Sequence, residues 1–312
     1  MPEPAPTREA LAAYAHCAQV VRRSDSSFAA AFWMFPKPRR RALHAIYAFC
    51  RLADDIADDP EVRGDRRALL RRWRAELAGA YLGKAEHPVG IALGDAVHRY
   101  RLPEELFLEL LHGVETDLTG DPMQTFEDLR RYCYRVASTV GLLVVRVLEA
   151  RNPRSYEYAE ALGIAVQLTN VLRDVGSDAA EGRVYLARED LERLGVGRES
   201  LAGPCVSDEV RLLLALYAER ARMQYERAAR ALPEDERRLL RPAEAMGRIY
   251  RALLDELHGR SFPCLGAPLR LSRPHRLGIA TASWLGLGGA PGVGEAPGPV
   301  PRADRLAPSG QR

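Results

Sequence analysis

Apolar residues recur at every third or fourth position along most of this 312-residue chain, and this spacing limits the possible folds more than any other feature. The apolar segments are rich in Ala, Leu, Arg and Glu, and breaks such as FPKP (35–38), LTGDP (118–122) and VGSDAAEGR (175–183) separate them. No alternation of apolar and polar residues persists for long, so a β-sheet is not indicated. The pattern predicts an all-α domain. We predict helices near 10–22, 26–33, 38–57, 65–82, 88–98, 104–116, 125–150, 155–176, 188–193, 207–231, 235–257 and 272–284.

The two ends of the chain differ from the region between them. From about residue 286 the sequence is rich in Gly and Pro and poor in large apolar residues, so it cannot bury enough surface to offset the entropy of ordering. We therefore predict a flexible N-terminus over 1–9, one helical domain over 10–285 and a disordered tail over 286–312.

Charge and cysteine content exclude several classes of protein. The net charge of +3 gives no general attraction to nucleic acid. The five cysteines are widely spaced and form no CxxC pair, which indicates reduced thiols in a cytoplasmic protein rather than a zinc site or a disulfide framework. No apolar run reaches the ~18 residues of a membrane-spanning helix, and MPEPAPTREA (1–10) lacks the apolar core of a signal peptide.

The segment RLADDIADDP (51–60) carries four aspartates within six positions. On a helix, like charges four residues apart destabilise by a few tenths of a kcal/mol per pair. Helical geometry places Tyr47, Arg51, Asp54 and Asp58 within an arc of about 60° on one face. Two carboxylates one turn apart suit Mg²⁺, which takes one or two carboxylates and completes its shell with water and phosphate oxygens.

A second segment, NVLRDVGSD (170–178), repeats this arrangement. Gln167, Asn170, Asp174 and Asp178 fall within about 80° on the helical wheel. Each acidic segment alone also fits a helix end that faces water. The occurrence of both, each with polar residues on the same face, favours a site in which cations and a diphosphate separate the two.

Three segments together resemble the squalene/phytoene synthase family, the head-to-head prenyl synthases. They are SSFAAAFWMFPKPRRRALHAIYAFCRLADDIADD (26–59), YCYRVASTVGLL (132–143) and QLTNVLRDVGSDAAEGRVYL (167–186). The similarity runs from about 20 to 280 in the order and spacing of the family. It implies a single-domain isoprenoid synthase bundle whose helices surround a central cavity.

The resemblance also implies roles for individual residues. The two aspartate-rich motifs of the family match Asp54 with Asp58 and Asp174 with Asp178, which would bind Mg²⁺, with Mn²⁺ as an alternative. The implied catalytic residues are these four aspartates together with Tyr132 and Tyr185. The implied substrate-binding residues are Phe28, Phe32, Tyr47, Arg51, Gln167, Asn170, Arg173 and Tyr250. Phe28 and Phe32 also fit ordinary core packing, and Arg173 has two open alternatives, a pair with Asp174 or with a phosphate.

The chain departs from the family pattern at two positions. Some members have a lysine where this chain has Ser26, and an arginine of the family matches Ala267. Arg270, Arg273 or Lys37 are alternative sources of positive charge. The departures concern how the diphosphate of a second substrate molecule is held, and they leave the aspartate motifs intact.

The implied reaction is a Mg²⁺-dependent 1′-1 condensation of two prenyl diphosphates. An allylic cation forms from one substrate, the double bond of the other attacks it, and loss of a proton closes a cyclopropane. The Ser-Ser-Phe start without the lysine favours presqualene diphosphate synthase of bacterial hopanoid pathways over phytoene synthase, the alternative. A head-to-tail elongase, a terpene cyclase and a non-catalytic relative are further alternatives.

The expected partners follow from this reaction. They are prenyl diphosphate substrates and downstream enzymes of isoprenoid biosynthesis, with no nucleic acid. No motif supports binding of NADPH. Because the products are apolar, we expect a cytoplasmic protein with transient contact at the inner face of the membrane.

Overall fold

The computed structural model describes residues 6–24, 35–202, 206–262 and 269–284. These ranges are all-helical, without a β-strand, which confirms the predicted fold class. The α-helices are α1 (Arg8–Arg23), α2 (Lys37–Asp58), α3 (Arg66–Leu82), α4 (Pro88–Tyr100), α5 (Glu104–Thr119), α6 (Phe126–Cys133), α7 (Thr139–Val147), α8 (Pro153–Ala180), α9 (Arg188–Arg193), α10 (Asp208–Ala231), α11 (Arg237–Gly259) and α12 (Arg273–Trp284). A π-helical turn (Tyr134–Ser138) joins α6 to α7, and a 3₁₀ turn (Arg198–Leu201) follows α9.

Local sequence sets many of the helix ends. Asp65 caps α3 by accepting hydrogen bonds from the next backbone N–H groups, and Gly83 ends the same helix with a positive φ of 67°. Thr125 and Asp128 form a reciprocal capping box at the start of α6. These features explain why most predicted helices agree with the structure to within two or three residues.

Two helix predictions were wrong in ways that affect the site. The predicted break at 175–183 begins too early, because α8 continues to Ala180 and the chain turns at Gly182, where φ is 81°. Ser177 is accommodated inside the helix because its hydroxyl donates to the backbone oxygen of Asp174 over 2.8 Å. The single helix predicted over 125–150 is interrupted by the π-helical turn, a feature found mostly at functional sites.

Helix α8 forms the centre of the bundle. Fifteen of its 28 residues are buried, and it packs against α7, α10, α11 and the π-helical turn. A helix that is apolar on nearly all sides belongs in the interior. Polar residues on α8 therefore face either a partner or a cavity, which makes their positions informative.

Gly163 allows α8 to approach the π-helical turn closely. A Cβ at this position would lie 2.5 Å from Cα and 2.6 Å from the backbone nitrogen of Ser138. Because backbone atoms cannot move aside cheaply, we expect Gly163→Ala to lower the free energy of unfolding by about 2 kcal/mol. The control is Gly278→Ala on exposed α12, where a Cβ meets no described atom within 4 Å. It should be neutral or stabilising in chemical denaturation, and equal effects of the two variants would contradict the prediction.

The predictions about the cysteines and about membrane-spanning helices can be compared with the described residues. Cys17, Cys50 and Cys133 are buried free thiols, and Cys205 and Cys264 lie outside the described ranges. Within those ranges, no helix has the combination of length and apolarity required to cross a bilayer.

Candidate active site

A cavity of about 260 Å³ lies between α2, α7, α8, α11 and the π-helical turn. Its wall is mainly apolar and includes Val136, Val140, Val144, Leu162, Leu240 and Met246. Its polar lining includes Tyr47, Asp54, Gln167, Asn170 and Tyr250. The structure thus brings together five of the residues singled out from the sequence, on three helices that are far apart in the chain.

The cavity runs along α8. Asn170 and Gln167 lie toward the aspartate end of this helix, whereas Tyr158 lies twelve residues before Asn170, or about 18 Å along the axis. Tyr158 is fully buried, and its hydroxyl has no hydrogen-bond partner among the described residues. Burial raises the pKa of Tyr158 well above its usual range, so the hydroxyl remains protonated. The acidic residues therefore lie toward one end of α8, and the buried ring of Tyr158 lines the cavity nearer the other end of this helix.

The acidic end contains more carboxylates than the two motifs supply. Asp54 and Asp58 come from α2, Asp174 and Asp178 come from α8, and Asp117 joins them from α5. The carboxylate of Asp54 is exposed to water inside the cavity, but the walls of the cavity surround it with protein atoms. This enclosure, reinforced by the negative charges of Asp58 and Asp117, raises the pKa of Asp54 to about 7. Burial and then the neighbouring Asp174 raise the pKa of Asp178 to about 7 as well.

Arg183 connects the two acidic helices. Its Nη1 lies 2.5 Å from Oδ1 of Asp58, and its Nη2 lies 3.8 Å from Oδ1 of Asp178 and 2.7 Å from Oε2 of Glu181. One guanidinium therefore contacts carboxylates of both α2 and α8, which shows how close the two acidic faces are. Arg183 was not predicted as a site residue, although its place five residues after Asp178 would have justified including it.

Asp117 holds the two predicted tyrosines together. Tyr185 donates its hydroxyl hydrogen to Oδ1 of Asp117 over 2.8 Å, and Tyr132 donates to Oδ2 over 3.2 Å. The two rings stack with centroids 5.0 Å apart. Burial raises the pKa of Asp117 to about 6 although both tyrosines oppose the shift. Sequence reasoning missed this residue because it ended the helix at 116, whereas α5 continues to Thr119 and turns Asp117 inward.

The two arginines beside the motifs pair with carboxylates. Arg51 lies 2.7 Å from Oδ1 of Asp55, one turn further along α2, and its side chain is half-exposed. Arg173 donates to Asp174 through both Nε, at 2.8 Å, and Nη2. Arg173 is thus paired with Asp174 in the structure, and a pair with a phosphate stays a prediction.

The amide pair on α8 has one unsatisfied atom. Asn170 donates from Nδ2 to Oε1 of Gln167 over 3.2 Å. Its own Oδ1 is buried and has no hydrogen-bond partner within the described ranges. A buried oxygen without a hydrogen bond destabilises the fold by about 1–3 kcal/mol unless a ligand, water or cation contacts it. It lies on the cavity wall, where a bound group would meet it.

Several predicted positions lie outside the described residues. They are Ser26, Phe28, Phe32 and Ala267. Of the alternative positive charges, Lys37 begins α2 and is exposed, and Arg270 is exposed in the segment before α12.

The residues at the acidic end fit a divalent cation that is shared with a ligand. In the described ranges, no three His, Cys, Asp or Glu side chains form a complete protein cage for a metal. Two carboxylate pairs, the unsatisfied Oδ1 of Asn170 and the raised pKa values of Asp54 and Asp178 instead indicate negative charge in need of compensation. Mg²⁺ is bound in this way by one or two carboxylates, with water and phosphate oxygens completing its shell.

The raised pKa of Asp178 predicts how metal-free stability depends on pH. The folded value is about 7 and the unfolded value about 3.9, so the folded state binds more protons between them and stability falls as pH rises through this window. Asp178→Asn removes this titrating group. The free energy of unfolding of the variant should therefore exceed that of wild type by an amount that grows between about pH 4 and pH 7, on the order of 3 kcal/mol in total. Denaturant unfolding in EDTA measures this. Asp121→Asn, in an exposed loop, is the control, and parallel pH curves for the Asp178 variant and wild type would contradict the prediction.

Comparison with known proteins gives consistent matches over the helical region. A family model described as squalene/phytoene synthase matches residues 21–276, which contain both aspartate pairs and the cavity helices. The 15-cis-phytoene synthase of Synechococcus elongatus is 34% identical over 262 residues, covering 80% of this chain and 85% of that protein. A crystal structure of a dehydrosqualene synthase in complex with ligand is 29% identical with a TM-score of 0.79, covering 88% of this chain and 96% of that one. The crystal structure of squalene synthase HpnC from Alicyclobacillus acidocaldarius is also 29% identical, with a TM-score of 0.75 and coverages of 82% and 97%.

Proposed function

The chain belongs to the squalene/phytoene synthase family, and we propose on this basis that it condenses two molecules of farnesyl diphosphate head to head to presqualene diphosphate. Membership makes it a prenyltransferase, and the relatives support head-to-head condensation as the reaction type. The observation that carries the proposal is the pair of facing acidic helices at one end of an apolar cavity, linked by Arg183. This arrangement suits a substrate with a charged head and a long apolar chain.

The acidic end would bind the diphosphate. Asp54, Asp58, Asp174 and Asp178 would hold Mg²⁺, which neutralises the charge that develops on a leaving diphosphate. Arg183 lies beside two of these carboxylates, Asp58 and Asp178, and would provide a further positive charge for phosphate oxygens.

The tyrosines at this end would act as hydrogen-bond donors. Burial and Asp117 raise the pKa of Tyr132 and of Tyr185 above their usual range, so both hydroxyls stay protonated. Both hydroxyls also donate to Asp117. They are therefore poor acceptors for the proton lost on cyclopropane closure, which favours the departing diphosphate as the base.

The apolar wall would protect the cationic intermediate. Val136, Val140 and Val144 face the cavity from the π-helical turn and α7, and Leu240 and Met246 face it from α11. A wall of this kind excludes water, which would otherwise capture an allylic cation. Tyr158 adds an aromatic ring to this wall, away from the acidic end.

Two observations bear on substrate length and favour different candidates. Two solved structures with the matching fold are named a dehydrosqualene synthase and a squalene synthase, which favours farnesyl diphosphate as the substrate. The bulky ring of Tyr158, which lines the cavity far along α8 from the aspartates, also favours the shorter chain. The curated relatives, in contrast, are named phytoene synthases, which favours geranylgeranyl diphosphate as the second candidate.

Product analysis tests the proposed function. The purified protein with Mg²⁺ and no nicotinamide cofactor is given farnesyl or geranylgeranyl diphosphate in separate reactions, and the extracts are identified by mass spectrometry before and after phosphatase treatment. A C30 cyclopropyl diphosphate from the first reaction is expected, and dehydrosqualene would add the second ionisation step. Phytoene from the second reaction alone would replace the proposal by its alternative. A product that requires isopentenyl diphosphate would identify a head-to-tail elongase.

Tyr158 is predicted to limit chain length. Tyr158→Ala should raise kcat/KM for geranylgeranyl relative to farnesyl diphosphate about tenfold or more, because each additional methylene accommodated in an apolar pocket is worth about 1–3 kcal/mol. Tyr158→Phe keeps the ring and removes only the unsatisfied hydroxyl. It should leave this ratio unchanged and the melting temperature unchanged or higher. A folded Ala variant with an unaltered ratio would contradict this role.

Location and further partners remain predictions. Cytoplasmic location, transient membrane contact and association with downstream isoprenoid enzymes follow from the chemistry of the products. Flotation with liposomes in the presence and absence of substrate tests the membrane contact, and recovery only in the soluble fraction would count against it.

A further inference from the structure

A second pocket of about 260 Å³ lies at the junction of α11 and α12, and it is lined largely by arginines. Arg237, Arg238, Arg241 and Arg248 come from α11, and Ser283 comes from α12. Glu234 and Glu244 also line it, so four arginines and two glutamates leave a formal charge of +2. The acidic end of the central cavity has the opposite sign of charge, and nothing in the proposed reaction uses this pocket.

Buried Glu244 organises half of the arginines. Only 3% of Glu244 is exposed, and its Oε1 accepts hydrogen bonds from Nη2 of Arg237 and from Nη2 of Arg248, both over 2.9 Å. The carboxylate therefore fixes two guanidinium groups in the pocket wall before any ligand binds. A preorganised site loses less side-chain entropy when it binds than a set of mobile surface arginines.

Ser283 provides an independent indication of a ligand. It is 3% exposed, and its hydroxyl has no hydrogen-bond partner among the described residues, although it lines a pocket rich in charged groups. A buried hydroxyl without a partner costs about 1–3 kcal/mol. An oxygen-rich anion in the pocket would accept this hydrogen bond and compensate the net positive charge.

We propose that this pocket binds a phosphate-type anion, held by Arg238, Arg241 and Ser283 beside the Glu244-fixed pair. Guanidinium groups match phosphate oxygens in a bidentate geometry, which makes arginine the preferred residue for such ligands. The site is separate from the diphosphate end of the central cavity. The two pockets share no lining residue, although Leu240 on the same helix lines the central cavity and the charges of Glu244 and Arg248 act on Tyr158 there.

The phosphate group has two sources, free phosphate or diphosphate in solution and the headgroup of an anionic lipid. Leu277 of α12 is 69% exposed, an apolar side chain on the helix that carries Ser283. A lipid surface would cover such a residue, so vesicles belong in the test together with soluble anions.

The test compares variants that remove charge without disturbing buried Glu244. Arg238→Gln with Arg241→Gln lowers the positive charge of the pocket, and Arg67→Gln with Arg72→Gln makes the same change on exposed positions of α3. Ser283→Ala removes the unsatisfied hydroxyl and should not destabilise the fold. Calorimetric titration with inorganic pyrophosphate in EDTA measures binding of the soluble anion. Sedimentation with phosphatidylcholine vesicles, with and without phosphatidylglycerol, measures lipid binding.

The expected result is a loss of pyrophosphate affinity of tenfold or more in the pocket double variant, a severalfold loss in Ser283→Ala, and no loss in the α3 control. Binding to phosphatidylglycerol vesicles that pyrophosphate displaces and the pocket variant lacks would identify a lipid headgroup as the source. Pyrophosphate binding without vesicle binding would identify the free anion. Equal binding by the pocket variants and the α3 control, or equal losses in both double variants, would overturn the proposal.

Discussion

Replacing Asp54 or Asp174 with asparagine is expected to lower kcat at saturating Mg²⁺ by about a thousandfold or more. The two residues lie on different helices at the acidic end of the cavity, and each is one of a pair of carboxylates one turn apart. Asparagine keeps the shape of the side chain but removes a negative charge that would hold the cation against the leaving diphosphate. Losing one preorganised electrostatic contact in an active site costs about 10²–10³ in rate, and losing a metal ligand is expected to cost at least as much.

Asp59→Asn is the matched control for this loss. Asp59 follows directly after α2, and its Oδ1 accepts a hydrogen bond from the backbone of Glu61 over 2.8 Å, away from the cavity. Diphosphate release from farnesyl diphosphate should remain within a fewfold of wild type in this variant. Circular dichroism and the melting temperature establish that all variants fold. Turnover within tenfold of wild type in both folded cavity variants would mean that the facing aspartates do not perform the chemistry proposed for them.

Arg183→Gln is expected to strengthen Mg²⁺ binding by the substrate-free protein about tenfold and to lower its stability in EDTA. In the free protein the guanidinium of Arg183 compensates Asp58 and lies near Asp178, so an incoming cation must compete with it. Two unit charges about 4 Å apart interact by about 1–4 kcal/mol at the dielectric constants of a protein surface. A tenfold change in affinity corresponds to about 1.4 kcal/mol, within this range.

Titration calorimetry with Mg²⁺ and no substrate measures the predicted change. Arg188→Gln is the control, because Arg188 pairs with Glu192 at 2.6 Å and both side chains are exposed. Its Mg²⁺ affinity should equal that of wild type. Addition of Mg²⁺ should also recover most of the melting temperature lost by Arg183→Gln in EDTA. Unchanged affinity in the Arg183 variant would show that the guanidinium does not occupy the cation site.

The helical architecture follows from local sequence because its causes are local. Apolar spacing, caps such as Asp65 and Thr125, and breakers such as Gly83 act within a few residues and determine where most helices begin and end. The same periodicity places Asp54 with Asp58 and Asp174 with Asp178, since residues four apart always share a helical face. The aspartate pairs and the family resemblance could therefore be identified without coordinates.

The composition of the acidic end depended on tertiary packing. Asp117 is separated from Tyr185 by 68 residues, and Arg183 from Asp58 by 125, and no local pattern relates such positions. Two errors about helix ends concealed part of this, because α5 and α8 each extend into a segment that was predicted to be a break. Hydrogen bonds support these last turns, because Asp117 accepts two partly buried hydrogen bonds from tyrosines and the Ser177 hydroxyl donates to the backbone of its own helix.

The sequence by itself thus determined the all-α class, the helix faces and the chemistry of the two motifs, because these depend on interactions within a turn or two. Only the tertiary structure decided which residues line the central cavity, Tyr158 among them, and that arginines of α11 meet Ser283 in a second pocket. These features arise where helices distant in sequence pack together. The physical reason is that shape complementarity and desolvation, rather than periodicity, set the partners of a buried side chain.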